Sequence, residues 1–470
     1  MTHPPIAYTS TRGRIRGQGF EDVLLAGLAA DGGLFVPEAW PSLGIDALRA
    51  LDGVPYADTA AAVMAPFTAG CFDEAELRDM ARDAYAGFAH PATAPLKQLD
   101  HDTWLMELFH GPTLAFKDFA LQLLGRMFDR VLERRGERIT IVGATSGDTG
   151  SAAIHATRGR DNVRIAILHP HGRTSEVQRR QMTCVADANV LNVAVKGDFD
   201  DCQALVKALF VDEPFRDSMR LAAINSINWA RVMAQAAYYV HAALRLGGLE
   251  RPVSFAVPTG NFGDVYAGHV ASRLGLPLGR LLVATNRNDI LARFLDDGVY
   301  AARRVDPTMS PSMDIQVASN FERLLFETGG CDGDATAAMM QGFKENRRLA
   351  VEGEALRRIQ SAFVGAAVDE DETARTIRDA YARMGELLDP HTAVGVAAAS
   401  RRRADLPGPV VCLATAHPAK FPDAVKKAAG VAPPRPVRLD AMLEGDERMV
   451  VLDNDLDALK ALLIERLGTP

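Results

Sequence analysis

Short apolar runs alternating with helix-length segments leave this chain few folds to choose from. Ile139-Thr140-Ile141-Val142, Val163 to Leu168, Val190 to Val195, Val253-Ser254-Phe255-Ala256-Val257 and Leu281 to Ala284 are brief and rich in β-branched residues. Between or after them lie Glu176 to Val185, Cys202 to Phe210 and Trp229 to Leu246, where apolar residues recur at helical spacing. Strand, loop, helix and strand in this rhythm predict right-handed crossover units and a parallel sheet, which makes the class α/β. Val410-Val411-Cys412-Leu413-Ala414 reads as the last strand. Residues 1 to about 95 read instead as an Ala- and Leu-rich helical region without evident chemistry, joined to the rest at Pro91 to Pro95. From about 290 to 400 the chain reads as mostly helical, with Pro307 and Pro311 in an irregular connection. Pro433-Pro434-Arg435-Pro436 and the tail after it read as peripheral.

Composition narrows the function classes. The 470 residues are 48% hydrophobic and 24% charged, the balance of a globular protein with a sizeable core. A formal net charge of −8 without a long basic run argues against nucleic acid or an anionic membrane as partner. Cys71, Cys184, Cys202, Cys331 and Cys412 are odd in number and never at metal-knuckle spacing, so neither zinc nor a disulfide framework is expected. The N-terminus shows no charged segment leading into an apolar core, and no apolar run is long enough to span a bilayer. The expectation is a cytoplasmic protein.

Three stretches carry candidate chemistry. In His110-Gly111-Pro112-Thr113-Leu114-Ala115-Phe116-Lys117-Asp118-Phe119-Ala120 a Gly-Pro turn is followed by an amphipathic run that Gly136 stops. Lys117 therefore starts a helix among Leu114, Phe116 and Phe119. Low polarity and the positive helix end both disfavour an ammonium, predicting a pKa lowered from about 10 towards neutrality. A neutral amine there suits Schiff-base chemistry; a surface lysine lying over apolar neighbours is the plainer alternative. Pro258-Thr259-Gly260-Asn261-Phe262-Gly263-Asp264 and Thr145-Ser146-Gly147-Asp148-Thr149-Gly150 both join a strand to a helix. Such loops offer backbone N–H groups and a helix dipole to an anion, or serve as tight turns and caps. No P-loop lysine follows the first, and no Gly-x-Gly-x-x-Gly follows a strand, so neither a Walker site nor a dinucleotide fold is supported.

These stretches, with Tyr8-Thr9-Ser10-Thr11-Arg12-Gly13, Leu28 to Pro37, Asn225-Ser226-Ile227-Asn228-Trp229 and Thr415-Ala416-His417-Pro418-Ala419-Lys420-Phe421, occur in an order that resembles the threonine synthases along nearly the whole chain. The resemblance implies an N-terminal domain over 1–95 and a catalytic domain over 96–470, with a smaller lobe at about 130–215 inserted. It implies fold type II, two parallel-sheet lobes around pyridoxal 5′-phosphate (PLP). Lys117 would carry the cofactor; Gly260, Asn261, Phe262 and Gly263 would cradle its phosphate; Thr415 would meet its pyridine nitrogen. A hydroxyl there leaves the ring less than fully protonated and steers reaction towards Cβ and Cγ. Ser146 and Thr149 would bind the substrate's α-carboxylate. Asp148 would repel that carboxylate, so it is expected to point away and order the loop or cap the helix. Asn228, Arg231 and Lys420 are the candidates for the phosphate of O-phosphohomoserine. For Arg231 a helix-surface salt bridge competes with that role, and His110 and His417 either relay protons or, as expected here, satisfy backbone carbonyls. The implied activity forms L-threonine and phosphate from O-phospho-L-homoserine and water. A phospholyase or a serine/threonine dehydratase on the same scaffold, or a PLP-binding module without turnover, are the alternatives.

Overall fold

The computed structural model describes residues 3–469. The chain divides into two compact units, one of Met1–Val23, Leu28–Phe116 and Ser226–Pro434, the other of Leu24–Gly27, Lys117–Asn225 and Arg435–Pro470.

The first unit is built on a six-stranded sheet in the order Phe363–Ala367, Leu278–Thr285, Val253–Pro258, Val410–Ala414, Thr103–Glu107, Leu96–Gln98. All neighbours are parallel except the edge strand Leu96–Gln98. Val253–Pro258 is buried along its whole length, which explains why it reads as an unbroken apolar run rather than an alternating one. Helix Trp229–Arg245 is buried from Trp229 through Leu244, an apolar cylinder interrupted by few polar side chains, among them Arg231, Gln235 and His241. It packs against helices Tyr56–Thr68 and Gly263–Arg273. Near the N-terminus, strands Tyr8–Ser10 and Phe35–Pro37 pair antiparallel. Helix Glu74–Ala86 is started by a capping box between Asp73 and Glu76.

The second unit holds a parallel sheet in the order Val450–Asp453, Val190–Lys196, Val163–Pro170, Ile139–Ala144, Leu221–Ala222. Helix Lys117–Arg135 runs to Gly136, whose φ of +63° ends it. Helix Asp148–Thr157 crosses it closely at Gly125, where a Cβ would stand 2.1 Å from the Ala156 carbonyl oxygen. The tail is not peripheral: Val450–Asp453 is a strand of this sheet, and Leu459, Leu462, Leu463 and Leu467 of helix Leu456–Leu467 enter its core. The prolines at 433–436 mark a change of unit, and reading them as the start of an appendage overlooked the leucine stripe beyond. Likewise the mostly helical span of 290–400 contains Phe363–Ala367, an edge strand too short and too Ala/Gly-rich to stand out. Among the described residues no helix is long and apolar enough to cross a membrane.

Candidate active site

The segment before Lys117 is a loop fastened from both ends. Within the first unit, Phe116 N–H donates to the Thr415 carbonyl (2.9 Å) and His417 N–H to the Leu114 carbonyl (3.0 Å). Lys420 Nζ, fully buried, donates to the Thr113 carbonyl at 2.8 Å. Leu114 is held at φ +60°, a conformation a branched side chain adopts only when its surroundings fix it. Thr415 therefore lies beside the loop that precedes Lys117, and Lys420 acts as a tie for that loop. The Thr415 residue is 5% exposed, its N–H donates to Thr392 Oγ1 (3.2 Å), and its own hydroxyl has no partner among the described residues.

In the same unit the loop after Val253–Pro258 is braced from outside. Asn261 Oδ1 accepts from Ser319 N–H (2.9 Å), its amide donates to Ser226 Oγ, and its carbonyl accepts from Asn320 Nδ2 (3.2 Å). Asn261 and Phe262 thus contribute backbone only: the Asn side chain is spent as a brace, and the Phe262 ring is buried against Phe321 and Phe363. Phe262 itself sits at φ +64°. A Cβ at Gly260 would meet the Ser312 carbonyl oxygen at 2.9 Å and Met313 Cα at 3.1 Å, so the loop's shape requires glycine there. Among the described residues nothing accepts from the backbone N–H groups of Gly260, Asn261, Phe262 or Gly263. These four backbone donors lie at and just before the start of an eleven-residue helix, the kind of position where a helix can meet an anion.

Asp264 lies in that helix's first turn and would oppose an anion. Its carboxylate accepts from the hydroxyls of Tyr238 and Tyr239, the latter at 3.0 Å. Arg231 is buried in the same region, with burial lowering its pKa to about 10 while Tyr238 and Asp264 act to raise it. Arg231 is thus no helix-surface salt bridge but an internal cation coupled to Asp264. Asn228, the other candidate from that segment, caps helix Trp229–Arg245 by accepting from Ala230 N–H at 2.9 Å. The histidines also differ from expectation. His110 Nε2 bonds Glu107 Oε2 at 2.7 Å, and His417 Nδ1 accepts from Ala419 N–H at 3.1 Å. Neither bond is to a carbonyl: one ring meets a carboxylate the sequence places three residues back, the other caps a 3₁₀ turn. Burial and then the nearby His110 hold His417 down to a pKa of about 4.

In the second unit Lys117 is the first residue of its helix and is 9% exposed. Its Nζ lies 3.5 Å from Asp148 Oδ2. Asp148 therefore faces Lys117, and the capping role expected of it is not found, since the helix it opens is capped at Gly147 without a side-chain bond. The reason is that Thr145 does the loop's internal work, its hydroxyl accepting from both Gly147 N–H and Gly150 N–H at 3.0 Å. Ser146, exposed, and Thr149, half-buried, keep their hydroxyls free of partners among the described residues. The sequence reading missed Thr145 as the keystone and missed Gln178, which donates to Asp148 Oδ1 at 3.0 Å. The first was legible as a hydroxyl two and five residues before glycines. The second, thirty positions from its partner, carried no local signal.

Comparison with known proteins gives the family. Family models match along the chain: "Threonine synthase N terminus" over residues 7–85, "Pyridoxal-phosphate dependent enzyme" over 89–356 and "Threonine synthase, C-terminal" over 392–463. A threonine synthase from Pseudomonas aeruginosa is 53% identical over 97% of both chains. The crystal structure of PLP-bound threonine synthase from Brucella melitensis superposes with a TM-score of 0.96 at 52% identity, covering 98% of this chain and 99% of that one. Yeast threonine synthase gives a TM-score of 0.92 at 37% identity, covering 98% and 99%. The chain belongs to the threonine synthase family of fold type II, PLP-dependent enzymes.

Proposed function

We infer that the chain forms L-threonine and phosphate from O-phospho-L-homoserine and water, with PLP held by the residues the sequence singles out. The observation that carries this reading is the set of four unspent N–H groups at Gly260, Asn261, Phe262 and Gly263, a fit for a phosphate monoester that needs no lysine. The partnerless Thr415 hydroxyl suits a heteroaromatic nitrogen, and the buried Lys117 amine suits an aldehyde. Bound PLP supplies an electron sink that lets the substrate give up protons at Cα and Cβ and lose its γ-phosphate before water adds at Cβ.

The chain's own groups then divide the work. Lys117 Nζ would carry the cofactor and, once free, would serve as base towards the Cα proton. Ser146 and Thr149 offer unspent hydroxyls to the α-carboxylate. Buried Arg231 offsets the negative charge of Asp264, while Asn228 caps its helix and Lys420 ties the loop before Lys117. We assign residues 1–95 as the N-terminal domain and 96–470 as the catalytic domain. A reducing, cytoplasmic location is supported by the odd number of cysteines and by their spacing along the chain.

Purified protein incubated with PLP and O-phosphohomoserine tests the reading, with threonine, phosphate and 2-oxobutyrate counted together. Equal threonine and phosphate is expected; phosphate with 2-oxobutyrate would mean a phospholyase instead. Lys117→Ala should abolish both turnover and borohydride-fixed cofactor. Full activity in that variant, or fixation to another lysine, would remove Lys117 from its role.

A further inference from the structure

A buried carboxylate is expensive unless something holds it ionised and something uses its charge. Asp148 is 6% exposed, and both of its oxygens are engaged within the second unit. Oδ1 accepts from Gln178 Nε2 at 3.0 Å, and Gln178 is itself fixed, its Oε1 accepting from Ser175 Oγ at 3.0 Å. Ser175 in turn caps helix Glu176–Thr183 by accepting from Gln178 N–H at 3.3 Å. A neutral amide donating to one oxygen favours the ionised acid and leaves the other oxygen turned to Lys117 Nζ, 3.5 Å away. Capping does not account for this placement, since the loop's amides at Gly147 and Gly150 are served by Thr145.

We propose that Asp148, set by Gln178, is a positioning residue for the Lys117 amine. It holds the ε-ammonium in place whenever the lysine is not bonded to the cofactor, and so governs how readily the amine is released for bond formation. Its meaning for catalysis rests on Lys117 being the cofactor lysine, but the geometry and the test do not. An opposite charge at this distance favours the protonated amine, against the desolvation that the sequence alone suggests. Gln178 matters because a glutamine can orient the carboxylate without competing for the proton.

The full-length chain, freed of cofactor, can be acetylated with acetic anhydride at one fixed pH near 8 and Lys117 followed by peptide mass spectrometry. Acylation consumes the neutral amine. Asp148→Asn should therefore raise the Lys117 labelling rate about tenfold over the unaltered chain, while Asp148→Glu, which keeps the charge, should stay near it. Gln178→Ala should raise the rate about threefold by letting the carboxylate wander. A well-folded Asp148→Asn chain labelled no faster than the original would overturn the proposal. Should that variant not fold, an unchanged rate in Gln178→Ala would do the same. Fixation of PLP to a different lysine would sink the cofactor assignment and leave the labelling result standing.

Discussion

Thr145–Gly150 and Thr259–Asp264 each leave a parallel strand, carry two glycines and place an acid in the first turn of the helix that follows. The first is held from within: Thr145 closes on Gly147 and Gly150, and the acid is left for Lys117. The second is held from without: Asn320 and Ser226 brace it, and its acid is buried, with one carboxylate oxygen accepting from Tyr238 and Tyr239. The self-held loop keeps a negative charge at its mouth and pairs it with a cation. The braced loop removes its negative charge from the mouth and keeps all four amides free. These are opposite electrostatic settings, and the same strand-loop-helix grammar provides both.

The broadest test compares the units through pH. Burial holds His241 and His417 of the first unit, and His155 of the second, down to about 4. An unfolded histidine titrates near 6.5, so as pH falls from about 6.5 towards 4 the unfolded chain takes up protons that the folded chain refuses. Each group's stabilisation is thus complete above the unfolded pKa and lost on acidification, by up to roughly 2 kcal/mol each at pH 5. Urea unfolding at pH 7.5 and 5.0 should show this loss, and His241→Gln should flatten it. An unchanged slope would show that His241 titrates normally. Next in size is Gly260→Ala, whose Cβ meets backbone atoms of Ser312 and Met313 that cannot swing aside. It should cost about 3 kcal/mol, read as weaker PLP binding together with a lower melting temperature. Wild-type PLP affinity in this variant would break the view that external bracing sets the loop.

How much of this was legible in the sequence follows from the range of the interactions. The strands at 139–144, 163–170, 190–196, 253–258 and 410–414 declare themselves because parallel strands buried on both faces are continuous apolar runs. Lys117 and the Gly260 loop were visible because a helix start and a glycine turn are local events. The partners of Asp148 are not legible because they are decided by where Gln178 and Lys117 arrive in space, and the helix cap expected of it is not formed. The surface salt bridge weighed against a substrate role for Arg231 is excluded because its helix is buried all round, which a lone arginine near a helix start does not announce. Val450–Asp453 was overlooked because its alternation of half-buried and exposed residues marks an edge strand, the least apolar kind.

The finest discrimination between the two loops is Thr145→Val. It preserves volume and branching, and removes only the oxygen that accepts from Gly147 N–H and Gly150 N–H. Both amides belong to buried residues, so each loses a partner it cannot readily replace with water. The expected cost is about 2 kcal/mol in chemical unfolding. Because Thr145 belongs to the loop whose hydroxyls are assigned to the substrate, KM for O-phosphohomoserine should rise while PLP affinity stays put. The braced loop has no comparable single residue, since its bonds are shared among Asn261, Ser319 and Asn320. Loss of PLP affinity in Thr145→Val with KM unchanged would reverse the assignment of the two anions to the two loops.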